Sequence, residues 1–500
     1  MIANPLGIGL YAIVGLYLLT MVALSVAARR KQKQGSLNQF YLADRSLGPL
    51  VLMLTFYATQ YSGNSLVGLP GETHRVGFLW ILSLGYMTSV VVAYLLFAPN
   101  LYRASRTYGF VTPGDWIDHR FQSPTLTLFA NFLFLLVMVN FLLAQLMAMG
   151  HVVTTASGHA VPFWAGVAGL GLVIVLYETV GGMRAVAWTD CVQGGLLMLG
   201  LAGIMIAVLP GLGGLHDTSA WIIEHAPEKA AVPEGAAIRT WISTLLLVGF
   251  SAAIYPQAIQ RIFAAESART LRNSLRAMAF LPLVTVLPMF LIGILSIPRL
   301  SGLDGVAADQ VMPALLNAWA GETLYLRGMV IVVLVGAIAA IMSTADSVLL
   351  SLSSILAKDI LGKVWLPDAS SQQLARLGKV LSWAVLSGLI VFALSPRISL
   401  WGLIELKLEI LIQISPLFIL GTLWPGMTAR GALAGLSVGT ILSAALTLSG
   451  AGKVWGWHSG VIGVAANLIV ALLVSMCLPA NAASLTGHGA SQRPNVDRCR

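Results

Sequence analysis

Charged side chains are scarce in this sequence: they make up 10% of its 500 residues, while 57% are hydrophobic. A water-soluble domain is usually about 45–50% apolar and about 25% charged, so this composition excludes an ordinary soluble fold. The apolar residues fall into blocks of about 17–25 residues, the length of helix that crosses a ~30 Å hydrocarbon layer. The sequence therefore predicts a membrane protein with many spans.

Cysteine is also scarce, and its three positions are Cys191, Cys477 and Cys499. The first two lie in or near predicted spans and the third lies in the carboxyl-terminal tail, so no disulfide is expected. The sequence lacks a nucleotide-binding loop, a Cys/His metal spacing and a nucleophile elbow. We therefore expect neither ATP-driven transport by this chain alone nor an enzyme.

His119 lies close in sequence to Asp115 and Asp118, a combination that would suit a metal site or a catalytic pair. These residues belong to an amphipathic segment, Tyr108–Phe121, which also contains Arg120. We interpret this segment as a solvated interfacial helix.

Thirteen apolar blocks are long enough to be spans. A backbone in lipid must satisfy its own hydrogen bonds, so each block is predicted to be a helix and the fold class to be an all-α membrane protein. The blocks are Gly7–Ala27, Leu50–Leu69, Gly77–Ala98, Leu126–Met149, Pro162–Tyr177, Ala187–Leu209, Trp241–Ile259, Ala277–Ile297, Gly328–Leu356, Val380–Leu394, Leu400–Leu423, Ala432–Leu448 and Gly460–Leu478. We predict that residues 1–478 form one transmembrane domain and that residues 479–500 are a disordered cytoplasmic tail.

The net charge of +9 would suit a nucleic-acid partner, but the distribution of the basic residues argues for a membrane. If the amino terminus lies outside and the spans alternate, 21 Lys and Arg residues fall in cytoplasmic segments and seven in outside segments. This asymmetry follows the positive-inside rule and predicts a plasma (inner) membrane protein with a cytoplasmic carboxyl terminus. Basic residues follow the first block, which we therefore interpret as a span and not as a signal peptide. No nucleic-acid partner and no obligate protein partner are expected.

Two of the predicted spans contain helix-breaking residues. The second block contains Gln60–Ser65 at mid-depth, followed by Gly68 and Pro70, and the seventh contains Gly249–Gln257 with Pro256. The two blocks lie five spans apart, so they would occupy corresponding positions in two inverted halves if spans two to six and seven to eleven form two repeats. Paired broken helices indicate a binding site at the membrane midplane. The alternative is that Gly and Pro are simply common in membrane helices.

A dense polar cluster, Ser343–Ser347, lies in the ninth block. Helical spacing places Ser343, Asp346 and Ser347 on one face, with Ala340 one turn earlier. Sodium is a hard cation, and hydroxyls, a carboxylate and carbonyls freed at a helix break would supply the oxygen ligands that it prefers. A lone hydroxyl usually bonds to the carbonyl one turn earlier, but four polar groups in five residues favour an ion site.

Other polar residues in the spans leave alternatives open. Asp190 opens the sixth block, where it either caps the helix or contributes to a second cation site or a proton relay. Glu405, Lys407 and Glu409 are interpreted as structural side chains that pair or reach toward water. Gln413 lies deeper in the same block and is assigned to the cavity.

Several segments of the chain together resemble one family. They are Phe40–Gly48 (FYLADRSLG), Gly181–Gly194 (GGMRAVAWTDCVQG), Ser343–Ser347 followed by Ala357–Asp359, Gln413–Pro416 and Trp424–Gly435. This combination resembles the sodium:solute symporter family over nearly the whole chain. The resemblance implies two inverted five-helix repeats, with one helix before them and two after. It also implies a secondary active transporter that couples sodium influx to uptake of a small organic solute by alternating access.

The resemblance further implies which residues bind the ion and the solute. The sodium ligands would be the carbonyls of Ala58, Tyr61 and Ala340 and the hydroxyls of Ser343 and Thr344. A possible second sodium site would comprise Ser62, Ser65, Asp190, Asp346 and Ser347. The solute-binding candidates are Gln60, Asn64, Ser251, Tyr255, Gln257 and Gln413.

Leu69–Gly71 and Pro256–Arg261 resemble the proline and pantothenate transporters of the family more than its sugar transporters. Proline transporters have Asp in place of Gln60 and an aromatic in place of Asn64, and both types have His in place of Gln257. These departures argue against proline, and we expect a small organic solute such as a carboxylate, an amino acid or a pantothenate-like molecule.

Two rival functions share this fold. The carboxylates of Asp190 and Asp346 can carry protons, which would suit a proton-coupled or exchange transporter. A membrane sensor built on a transporter-like module is the second rival.

Overall fold

The computed structural model describes residues 6–30, 36–62, 64–207, 214–300, 302–303, 305–321, 323–394 and 400–478. Its α-helices are α1 (Gly7–Arg30), α2 (Leu37–Leu42), α3 (Pro49–Gln60), α4 (Leu69–Val76), α5 (Tyr86–Tyr108), α6 (Pro113–Phe121), α7 (Pro124–Ala156), α8 (Phe163–Ala207), α9 (Gly214–His225), α10 (Ala236–Ala252), α11 (Pro256–Ala264), α12 (Ala268–Met278), α13 (Pro282–Ser296), α14 (Val311–Ala320), α15 (Leu324–Ser354), α16 (Ser371–Ala393), α17 (Leu400–Leu411), α18 (Ser415–Leu423), α19 (Ala429–Leu448) and α20 (Ser459–Cys477). Strands β1 (Lys453–Val454) and β2 (Trp457–His458) pair antiparallel between α19 and α20. The predicted tail, 479–500, lies outside the described residues.

Each of the thirteen predicted blocks falls on helix in the part of the chain that the structure describes. The fifth and sixth blocks are joined in α8, but Gly182 interrupts that helix with φ 54° and ψ −154°. Nine helices in the described residues are long and apolar enough to span a membrane, or ten if the bent pair α10 and α11 forms one span. The all-α membrane fold class is confirmed, and the count of thirteen spans stays a prediction.

Helix α15 forms the centre of the molecule and packs against α8, α7 and α1. Almost every side chain from Val330 to Ser354 is buried, polar ones included. Small residues allow the close contact with α8: a Cβ on Gly336 would lie 3.0 Å from the Leu196 carbonyl oxygen. Helices in membranes associate through this kind of backbone approach, because lipid is as apolar as their side chains.

Large apolar side chains are exposed on the outer helices. Leu16 and Leu19 on α1 are 67% and 71% exposed, and Phe392 on α16 is 73% exposed. Such surfaces suit contact with hydrocarbon rather than water.

The interfacial helix that the sequence predicts is α6. Thr112 and Asp115 form a capping box at its start, and Asp115 also accepts a hydrogen bond from Lys358. Burial alone would raise the pKa of Asp115, but the Lys358 ammonium and two backbone N–H groups hold that pKa below its usual value. Asp118 pairs with Lys363 at 2.9 Å. Within the described residues, no group of three His, Cys, Asp or Glu side chains could hold a metal ion.

Candidate ion and solute site

The predicted break in the second span is present. Helix α3 ends at Gln60, Tyr61 is extended with φ −94° and ψ 93°, and a π-helical stretch, Asn64–Gly68, continues into α4. The last carbonyls of a helix have no partner within that helix, so the break presents oxygen atoms inside the molecule. The seventh span is broken as well, since α10 and α11 meet at an angle of 50°.

The polar face of α15 lies against the end of α3. The hydroxyl of Thr344 donates to the Ala58 carbonyl over 3.2 Å, which brings together two of the predicted sodium ligands. Ala340 on α15 and Tyr61, which directly follows α3, are also buried. The Ser343 hydroxyl, however, donates to the carboxylate of Asp190 and so connects the two predicted ion sites.

Asp190 lies within α8, eight residues beyond the break at Gly182, and its side chain is fully buried. Its carboxylate accepts hydrogen bonds from Thr55 and Ser343 on neighbouring helices. The interpretation of Asp190 as a helix cap is therefore wrong, because the carboxylate bonds to other helices instead of the first turn of its own.

Arg261 on α11 is the cationic partner of Asp190. Its Nη2 lies 3.0 Å from Asp190 Oδ2 and 2.6 Å from Ser347 Oγ, and its Nε donates to Thr55 Oγ1 over 2.8 Å. Its Nη1 donates to the Gln257 carbonyl over 3.0 Å. Arg261 lies two residues beyond the seventh predicted block, yet its side chain is fully buried.

The second carboxylate of the cluster, Asp346, is also fully buried. It accepts hydrogen bonds from the Tyr177 hydroxyl over 2.6 Å and from Ser347 over 3.1 Å. Both of these donors are neutral. Of the other residues predicted for the second ion site, Ser62 is buried, and the side chain of Ser65 lies outside the described residues.

A cavity lies beside the break in the second span. Its lining includes the predicted solute residues Gln60 and Tyr255 together with Tyr61 and Ser62. Gln60 Nε2 donates to the Tyr94 hydroxyl over 2.8 Å and to the Ala252 carbonyl over 3.3 Å. The rest of the lining is mainly apolar and aromatic, as in most small-molecule sites.

Three other predicted solute residues, Ser251, Gln257 and Gln413, do not line this cavity. Ser251 donates to the Leu408 carbonyl over 2.8 Å, and Gln413 donates to the Gly460 carbonyl over 2.9 Å. Gln257 is fully buried, and its side-chain amide has no hydrogen-bond partner among the described residues. The side chain of Asn64 lies outside the described residues.

Sequence reasoning missed four side chains that the structure adds to the site: Thr55, Tyr177, Arg261 and Lys407. Arg261 gave the clearest signal, because a basic residue beside a predicted span is a possible partner for an acid inside another span. Lys407 was placed in a span but was assigned a structural role.

A profile of the sodium:solute symporter family matches residues 40–439. This chain belongs to the sodium:solute symporter family. The sodium/pantothenate symporter of Escherichia coli (strain K12) is 27% identical to it over 446 residues, which cover 86% of this chain and 89% of the relative. The high-affinity proline transporter of Bacillus subtilis (strain 168) is 28% identical, covering 91% and 96%.

Solved structures share the fold. A Na+-coupled sialic acid symporter superposes with a TM-score of 0.77 at 18% identity, covering 94% of this chain and 98% of that one. A nucleobase-cation-symport-1 family transporter gives a TM-score of 0.57 at 15% identity, covering 88% and 93%. As a member of the sodium:solute symporter family, this chain is an integral membrane protein and a sodium-coupled transporter of solutes, not an enzyme.

Proposed function

We propose that this symporter binds its driving sodium ion where the break after α3 meets α15. The observation that carries the proposal is the contact between the Thr344 hydroxyl and the Ala58 carbonyl at 3.2 Å. A hydroxyl and a carbonyl that meet at a helix break provide two hard oxygen ligands without requiring a carboxylate. The carbonyls of Tyr61 and Ala340 and the hydroxyl of Ser343 complete the proposed ligand set.

A second cation binds, in this proposal, at Asp346. The cluster contains two carboxylates, Asp190 and Asp346, and one guanidinium, Arg261, so it carries one uncompensated negative charge if both acids are ionised. Uncompensated charge inside a membrane is expensive, and a cation removes that cost. Ser62, Ser65 and Ser347 would supply further oxygen ligands.

The proposed solute is a small organic molecule that enters the cavity beside Gln60 and Tyr255. The relatives include a sodium/pantothenate symporter and proline transporters, which supports a solute of similar size. Movement of one half of the fold against the other would expose the cavity to each side in turn. The proposed orientation keeps the amino terminus outside and the carboxyl terminus in the cytoplasm.

The experiment is a thermal-stability assay of the purified symporter in sodium, potassium and choline chloride at equal ionic strength. Sodium alone should raise the melting temperature, because a ligand that binds only the folded state stabilises it by mass action. Thr344→Ala should lose most of this increase. Equal melting temperatures in all three salts would contradict the proposed sodium site.

Proton coupling is the second candidate, and one observation favours it. Asp346 receives only neutral donors, so a proton would neutralise it as well as a sodium ion would. Uptake driven by an inward proton gradient in the absence of sodium would identify this alternative.

A further inference from the structure

Lys407 on α17 contributes the only ammonium group to the cavity lining among the described residues, and its side chain is 2% exposed. Its Nζ lies 3.1 Å from the ring centroid of Phe141 and 5.4 Å from that of Tyr255. Both rings also line the cavity. The ammonium is therefore held at the cavity wall against aromatic faces.

The acids nearest to Lys407 in sequence are engaged elsewhere. Glu405 pairs with Lys453 at 3.2 Å, and Glu409 accepts hydrogen bonds from Thr447 over 2.8 Å and from Ser459. Within the described residues, no carboxylate lies within 4.0 Å of the Lys407 ammonium, and no hydrogen bond to it is present. Contact with aromatic rings compensates only part of the electrostatic cost of burying a cation, so part of that cost remains.

We propose that Lys407 binds a carboxylate of the transported solute. The inference rests on the proposed function, because it assigns the cavity to the solute, and it narrows that solute to an organic anion. An incoming carboxylate would provide the acidic partner that the described part of the chain does not supply.

The cavity also limits the charge and shape of the solute. Lys407 is the single basic side chain among the described residues of the lining, so it matches one negative charge and not the two charges of a phosphate dianion. Leu69, Tyr86, Val90 and Trp401 in the lining suit an apolar body. Gln60 can bond to a hydroxyl or amide on that body. The geometry thus describes a monocarboxylate with a largely apolar chain.

The test compares acids with neutral analogues of the same shape in the thermal-stability assay, with sodium present throughout. The probes are pantothenate with pantothenol and hexanoate with hexanamide. At least one acid should stabilise the wild-type symporter, and its neutral analogue should require at least tenfold higher concentration for the same increase. This comparison needs no variant and holds even if a substitution at Lys407 impairs folding.

Three variants assign the effect to the residue. Lys407→Met keeps most of the length and the apolar stem of the side chain but removes its charge, so it should remove the preference for the acid. Lys407→Arg keeps the charge and should retain part of this preference. Lys453→Met removes a lysine that lies away from the cavity and should leave the preference intact. Stabilisation by sodium alone should persist in Lys407→Met. If sodium stabilised neither the wild type nor any of the variants, the proposed sodium site would be wrong, and not the role of Lys407. Equal binding of acid and neutral analogue, no stabilisation by any acid, or an unchanged preference in Lys407→Met would overturn the inference.

Discussion

Arg261 and Asp190 form an ion pair at 3.0 Å in which both side chains are fully inaccessible to water. The pair joins α11, beyond the break in the seventh span, to α8. Through Thr55 and Ser347 it also reaches α3 and α15, so four helices meet around one guanidinium. A movement of the broken seventh span would have to carry this guanidinium with it or break these contacts.

Arg261→Met should destabilise the symporter strongly, by about 3–5 kcal/mol, because it leaves a buried carboxylate without its cation. The melting temperature of the purified protein and its yield in the membrane measure this loss. Arg239→Met is the matched control, since Arg239 is only partly buried and its side chain bonds only to the Trp455 carbonyl among the described residues. A double variant, Asp190→Asn with Arg261→Gln, should be less destabilised than the sum of its single variants. Additive effects would contradict a direct pair.

Thr344→Ala should weaken sodium binding more than it weakens the fold. The substitution removes one proposed oxygen ligand, whereas alanine is well tolerated in a helix. The sodium concentration for half-maximal uptake should rise about tenfold or more while the protein level in the membrane holds. Thr422→Ala is the control, because that hydroxyl bonds only to carbonyls of its own helix. An unchanged sodium dependence in Thr344→Ala would contradict the proposal that the Thr344 hydroxyl binds sodium.

Gly182→Ala should destabilise the junction inside α8. The backbone there has φ 54° and ψ −154°, a region that only glycine adopts readily, at a cost of about 1–3 kcal/mol for other residues. A Cβ would also lie 2.6 Å from the Phe40 carbonyl oxygen. Gly169→Ala in the same helix meets no atom within 4 Å and should be neutral or stabilising by roughly 0.5–1 kcal/mol. Equal melting temperatures for the two variants would show that the break is not required.

Asp346→Asn should change the number of charges moved for each solute. Asparagine keeps the shape and one carbonyl oxygen of the side chain, but it removes the charge that the second cation would balance. With a singly negative solute, two cations move one net positive charge, and one cation moves none. Transport in proteoliposomes should therefore be electrogenic in the wild type, with a measurable reversal potential, and electroneutral in the variant. Tyr177→Phe removes a neutral hydrogen-bond donor to Asp346 without changing the charge of the cluster, and should keep the wild-type ratio. If Asp346→Asn kept the wild-type ratio of charges to solute and the wild-type pH profile, Asp346 would have a structural role and would not bind a coupled cation.

The sequence was sufficient for features that depend on local chemistry. Each apolar block became helix because its backbone can satisfy its own hydrogen bonds in lipid. The break near Tyr61 and the bend before Pro256 were predicted from glycine and proline in otherwise apolar spans. The shared face of Ser343, Asp346 and Ser347 follows from helical spacing alone.

Features that depend on distant pairs could not be predicted in this way. Asp190 and Arg261 are 71 residues apart in sequence, and nothing in either segment specifies the other as its partner. Lys407 was interpreted through its neighbours Glu405 and Glu409, but those acids bond to segments that are brought close only by the packing of α17 with α19 and α20. The same packing leaves Lys407 in the cavity.

Uptake of a carboxylate solute by proteoliposomes tests most directly whether sodium drives transport. The assay should use the acid that best stabilises the protein, with an inward gradient of sodium or of choline chloride and a membrane potential of 100 mV, negative inside. One net charge crossing 100 mV gains about 2.3 kcal/mol, enough for a roughly fifty-fold concentration ratio at ~1.4 kcal/mol per decade. We predict accumulation of at least this size in sodium and only equilibration in choline. Equal uptake in the two salts would contradict sodium coupling.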